Sequence, residues 1–136
     1  MGGSQLLQDG KGFAGSLGMT QIVLPFPPAS LSGHAKGHWR EHAKVTKAHR
    51  AAAKTLTIEA LGGLKVNVPP RGDIGIRIAF MPADNRSDRT NFAGRMKPYI
   101  DGIAEALGVN DKRFLPEYAF LPPCPPGAVI VTVEGV

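Results

Sequence analysis

Asp88-Arg89-Thr90-Asn91, followed by Lys97, Asp101 and Asp111-Lys112-Arg113, alternates acidic and basic side chains at short spacing just after an apolar run. That mixture suits Mg²⁺-dependent attack on a phosphodiester, in which carboxylates hold the metal and cations hold the phosphate. Asp88 stands just beyond the apolar run, and Asp111 lies past the following helical stretch, where the chain can return beside Asp88. Lys97 and Asp101 are four residues apart and so share one helix face. Asp88, Asp101 and Asp111 are therefore the candidate metal ligands, with Lys97 as a cation for the scissile phosphate. Each has a plainer reading. Asp88 suits a helix cap, Asp111 an ordinary turn, and Lys97 with Asp101 a surface ion pair worth a few tenths of a kcal/mol.

The charge pattern points the same way. The chain carries a net charge of +5 and has a pI near 9.7, and the excess is local. Between His34 and Lys54 lie Lys36, Arg40, Lys44, Lys47, Arg50 and Lys54, opposed only by Glu41. Such a segment fits a polyanion. Trp39, Arg40, Lys44, Lys47 and Arg50, with Arg89 and Arg95 from the acidic block, are the candidate DNA contacts, Trp39 having a core position as its alternative. All four histidines, His34, His38, His42 and His49, fall in the same segment. Three of them recur every fourth residue, as a helical zinc pair does, but no nearby cysteine or carboxylate completes a site, and phosphate contact or solvation is preferred.

The elements that must position these residues follow from periodicity. Residues 1–18 are glycine-rich and read as a flexible leader before a domain over 19–136. Thr20 to Phe26 reads as a strand ended by Pro27-Pro28. From His38 to Leu61 the pattern is helical, with Val45, Ala48, Ala52 and Leu56 as the apolar face and Gly62-Gly63 as its stop. Ile74, Ile76, Ile78 and Phe80 alternate with small or polar residues and predict a second strand. Asn91 to Leu107 is helical, with Met96, Ile100, Ile103 and Leu107 on one face; Pro98 requires a start near itself or a kink. Phe114 to Leu121 and Ala128 to Val133 read as strands on either side of a proline-rich turn. The order β-α-β-α-β-β predicts a single small α+β domain, one mixed sheet with two helices, the strand order left open.

At 136 residues and 43% hydrophobic, the chain supports one domain with a real core. It has no apolar run near the ~20 residues that span a bilayer, and no secretory signal is read at its start. One cysteine, Cys124, makes neither an internal disulfide nor a zinc site alone. A reducing, cytoplasmic location is expected.

The succession Leu24-Pro25-Phe26-Pro27-Pro28, a basic helical segment, a strand, then Asp88-Arg89-Thr90-Asn91, Lys97, Asp101-Gly102-Ile103, Ala106-Leu107-Gly108-Val109 and Asp111 resembles the RusA family of Holliday junction resolvases over about Thr20 to Val136. The resemblance implies a small homodimeric, Mg²⁺-dependent endonuclease of bacterial or prophage origin that cuts four-way DNA junctions symmetrically. It aligns Asp88, Lys97, Asp101 and Asp111 with the family's catalytic residues. The family's Asp-x-Asp-Asn signature departs here at its second Asp, where Thr90 stands. Thr removes a negative charge from the side of the chain that Asp88 faces, so metal affinity should fall unless Asp101 or Asp84 compensates. A non-catalytic branched-DNA-binding protein with a weakened metal site is the alternative, and a basic protein unrelated to cleavage a third.

Overall fold

Ile74, Ile76, Ile78 and Phe80 all lie on the buried side of a strand, and their strand sits inside the sheet. The computed structural model describes residues 18–32, 39–63 and 67–136. Its strands are β1 (Met19–Pro25), β2 (Ile74–Met81), β3 (Phe114–Phe120) and β4 (Ala128–Glu134), and its helices are α1 (Trp39–Ala60) and α2 (Lys97–Leu107). The sequence order β-α-β-α-β-β is therefore the observed one, in a small single-domain α+β fold with one mixed sheet.

The sheet order is β1-β4-β2-β3. β4 pairs antiparallel with both β1 and β2, whereas β2 and β3 are parallel. A parallel neighbour cannot follow through a tight hairpin, and the β2-to-β3 crossover is supplied by α2 and its flanking turns. This crossover carries the whole acidic block from the C-terminal end of β2 to the N-terminal end of β3.

Register puts the apolar residues on one face. Ile22 stands opposite Val131, Leu24 opposite Val129, Ile78 opposite Val131 and Phe80 opposite Val129. These join Ala53 of α1 and Tyr99, Ile103 and Leu107 of α2 in a single core. Full burial of each large side chain is worth about 1.5–3 kcal/mol before conformational entropy is charged against it. The other face is open, with Val23, Arg77 and Leu115 exposed.

One expectation needs correction, and an open one is decided. The core side of α1 is set by Ala53 and Thr57, which are buried, while Ala48 and Ala52 are exposed. The cause is Gly102 on α2. A Cβ there would collide with the Arg50 carbonyl oxygen and come within 3.0 Å of Ala53 Cβ, so the missing side chain lets the helices touch at this point. Of the two courses left open for the stretch over 91–107, a start near Pro98 or a kink there, the start is the observed one. Two 3-10 turns, Arg89–Asn91 and Ala93–Arg95, precede α2, which starts at Lys97 with Pro98 in its first turn. Proline is tolerated there because its missing N–H would have no helical partner. Gly108 ends α2 in the left-handed conformation.

Of the expected leader, residues 1–17 lie outside the described residues, and Gly18 already accepts a 2.7 Å bond from the Gly135 amide. No helix among the described residues is long and apolar enough to cross a membrane.

Candidate active site

The start of α2 and the turn beyond its end bring three of the four predicted catalytic side chains together. Lys97 is the first residue of α2 and Asp101 lies one turn later. Asp111 opens the 3-10 turn Asp111–Arg113, whose cap is Asn110 through its side-chain oxygen and the Lys112 amide. Lys97 Nζ lies 2.6 Å from Asp111 Oδ2 and 3.0 Å from Asp101 Oδ1. The ammonium thus stands between two carboxylates from different elements. Its bond to Asp111, then that to Asp101, raises the Lys97 pKa, and the same Lys97 bond lowers that of Asp111.

Asp88 is placed differently. It precedes the turn Arg89–Asn91 and caps it, Oδ1 accepting from the Thr90 amide at 3.1 Å and the Thr90 hydroxyl at 2.8 Å. The Thr90 hydroxyl, then its amide, lowers the Asp88 pKa. No hydrogen bond or ion pair joins Asp88 to the Lys97 cluster among the described residues, and Asp84 is held by Arg86 at 3.3 Å.

An open cleft of about 410 Å³ borders the cluster, lined by Arg50, Asp101, Glu105, Asn110 and Asp111 among others. Glu105 is the site residue that the sequence reading missed. It pairs with Arg50 at 3.2 Å and Lys54 at 3.4 Å, and these bonds lower its pKa, Arg50 first. Its signal is the spacing itself, since Lys97, Asp101 and Glu105 follow at four-residue steps on one helix face.

The predicted DNA contacts divide. Trp39 is exposed, which sets aside its core reading, and the Arg40 guanidinium lies 5.3 Å from the centre of its ring. Lys44 is exposed and lies 3.7 Å from Glu41; Lys47 and Arg89 are exposed. Arg50 faces the acidic side of α2. Arg95 is a correction: it is buried, donates through Nη1 to the Pro27 carbonyl at 3.2 Å, and packs over Phe92 and Phe26. An arginine on a short turn directed inward acts as a structural strut. Its Nε has no hydrogen-bond partner among the described residues.

Of the histidines, His34 and His38 lie outside the described residues. His49 Nδ1 is 2.7 Å from the Val45 carbonyl oxygen, and His42 is exposed. Among the described residues, no group of three or more His, Cys, Asp or Glu side chains is arranged to hold a metal. The donors that do converge, Asp101 and Asp111, are hard carboxylate oxygens of the kind Mg²⁺ takes, and Lys97 is the cation between them.

The chain is 34% identical, over 125 residues, to an uncharacterized protein of Xylella fastidiosa (strain Temecula1), an alignment covering 90% of this chain and 81% of that one. The two belong to one family. No protein-family model matches the chain.

Proposed function

We propose that the protein is a Mg²⁺-dependent endonuclease of RusA type, acting on four-way DNA junctions. The observation that carries this reading is the convergence of Lys97, Asp101 and Asp111 across α2 and the turn after it. One cation against two carboxylates leaves the cluster net negative, suited to a further cation, while the basic α1 supplies charge for the DNA backbone. Asp101 and Asp111 would hold Mg²⁺ with waters completing its shell, which when bound neutralises charge on the scissile phosphate and activates water; Asp88, expected as a third ligand, is instead engaged by Thr90. Lys97, kept protonated by its raised pKa, places a fixed positive charge beside the phosphate oxygens. Arg50 and Lys54 pair with Glu105 on the wall of the same cleft and offset its charge there.

Cutting opposed strands of a junction requires two sites related by a two-fold axis, so the active species is a homodimer. The exposed apolar side chains Leu115, Tyr118 and Phe120 on the edge strand β3 give such an association apolar surface.

One observation favours the non-catalytic alternative. Both Thr90 donors bond Asp88 Oδ1, so the residue in place of an aspartate serves to fix a turn. Thr90→Asp separates the two readings. A binding-only protein gains Mg²⁺-dependent cutting from it, whereas an active enzyme changes rate modestly. The reading itself is tested with Asp111→Asn on a labelled four-way junction in Mg²⁺. Cutting falls by about 100-fold or more, as when an electrostatic group of an active site is removed, while junction binding persists. An unchanged cutting rate in this variant removes Asp111 from the site.

A further inference from the structure

The turn Asp111–Arg113 separates two clefts of opposite character. On one side is the acidic cleft at Asp101 and Asp111. On the other is a cleft of about 470 Å³, lined by Arg71, Gly72, Asp73, Asn110, Lys112 and Arg113 with Pro70. Three cations face one carboxylate there. Arg113 is fixed: Nη2 donates to the Pro69 carbonyl at 2.6 Å and Nε to the Gly72 carbonyl at 3.0 Å, which ties the 69–72 loop to the turn. Arg71 and Lys112, carried on the two walls so joined, are exposed and make no ion pair or side-chain hydrogen bond among the described residues. Asn110 borders both clefts, so they share a wall.

We infer that the Arg71–Lys112–Arg113 cleft binds a backbone phosphate of the same DNA strand whose neighbouring phosphate lies at the Lys97 cluster. This rests on the nuclease reading proposed above and adds a subsite to it. The spacing supports it. A three-residue 3-10 turn is roughly 6 Å long at ~2.0 Å per residue, and successive phosphates on one strand advance ~3.4 Å along the duplex axis. A strand crossing the turn therefore places phosphates on both sides of it, about one to two nucleotides apart. Arg113 supplies the rigid frame, while Arg71 and Lys112 supply mobile charges that close on the phosphate from opposite walls. The subsite holds the strand in register without reading its bases, as phosphate contacts do.

The test uses the full-length protein and a labelled four-way junction in a series of salt concentrations. Arg71→Ala/Lys112→Ala leaves the Arg113 frame intact. Losing that one phosphate contact lowers the slope of log K against log[salt] by about 0.9. Arg71→Lys keeps the wild-type slope, and Arg77→Ala, on the open face of the sheet, also leaves it unchanged. A wild-type slope in the double variant, with junction binding intact, overturns this subsite alone. A wild-type protein that binds no DNA overturns the subsite together with the nuclease reading.

Discussion

Lys97 joins parts of the chain that the sequence separates, because its ammonium bonds both Asp101 within α2 and Asp111 beyond it. The pH dependence of that pair has a defined sign. The Asp111 pKa is lowered by Lys97, so its stabilising effect is full above the unfolded value near ~3.9 and is lost as pH falls through the lower folded pKa. The Lys97 pKa is raised by Asp111 and Asp101, so its effect is full below the unfolded value near ~10.4 and is lost only as pH rises through the higher folded pKa. Thermal unfolding of Lys97→Met should therefore differ from wild type by a constant amount between about pH 5 and pH 9, and the difference should shrink in stronger acid. A difference that grows on acidification contradicts the pair. Arg95 yields the opposite kind of prediction. Arg95→Ala removes a buried strut on Phe92, Phe26 and the Pro27 carbonyl, and should lower stability by roughly 2–3 kcal/mol in denaturant melts. The salt dependence of DNA binding should not change. A shallower salt slope would return Arg95 to the DNA-contacting set.

The helix pair α1–α2 positions the cluster, and Gly102 sets how closely the two pack. On an exposed helix, Gly→Ala stabilises by ~1 kcal/mol. At Gly102 the new Cβ meets the Arg50 carbonyl and Ala53, so the substitution should instead destabilise by about 1–3 kcal/mol, as overpacking does; a stabilised Gly102→Ala protein would refute the close contact. The same contact explains what was legible in the sequence and what was not. Strict alternation in Ile74–Phe80 and Ala128–Val133 exposes the strands, because a half-buried strand has little freedom in which residues face inward. The small residues of α1 do not choose a face. Ala48, Ala52 and Ala53 have equal propensity, and only Gly102, some fifty positions away, decides that Ala53 is the one buried. The shortening of the second helix was visible in Pro98, but the apolar residues Phe92 and Met96 are buried from 3-10 turns and a helix cap, which periodicity alone reads as helix. Strand order was out of reach, since β4 inserts between β1 and β2 and no local pattern encodes that. Within the site, the Lys97–Asp101 pair was readable from its spacing. The joining of Asp111 to it depends on the turn of the chain at Gly108 and Asn110, and the inward course of Arg95 depends on the ring pair Phe26 and Phe92.

For the whole molecule, the crossover from β2 to β3 places the acidic block at the surface with basic groups on either side of it: Arg50 and Lys54 from α1, and Arg71, Lys112 and Arg113 across the turn. A junction-cutting enzyme built from this unit works as a pair. Sedimentation at working concentration should therefore give about twice the 14.4 kDa chain mass, and a monomer that cuts both strands in concert would contradict the two-site account. The acidic block's role as a metal-dependent phosphodiester site is the central claim, and one measurement addresses it directly. Purified protein is incubated with a labelled synthetic four-way junction and, separately, a linear duplex, each with Mg²⁺ and with EDTA. Symmetric cutting of the junction in Mg²⁺, none in EDTA and none of the duplex, is the predicted result. Tight junction binding with no cutting in Mg²⁺ would contradict it.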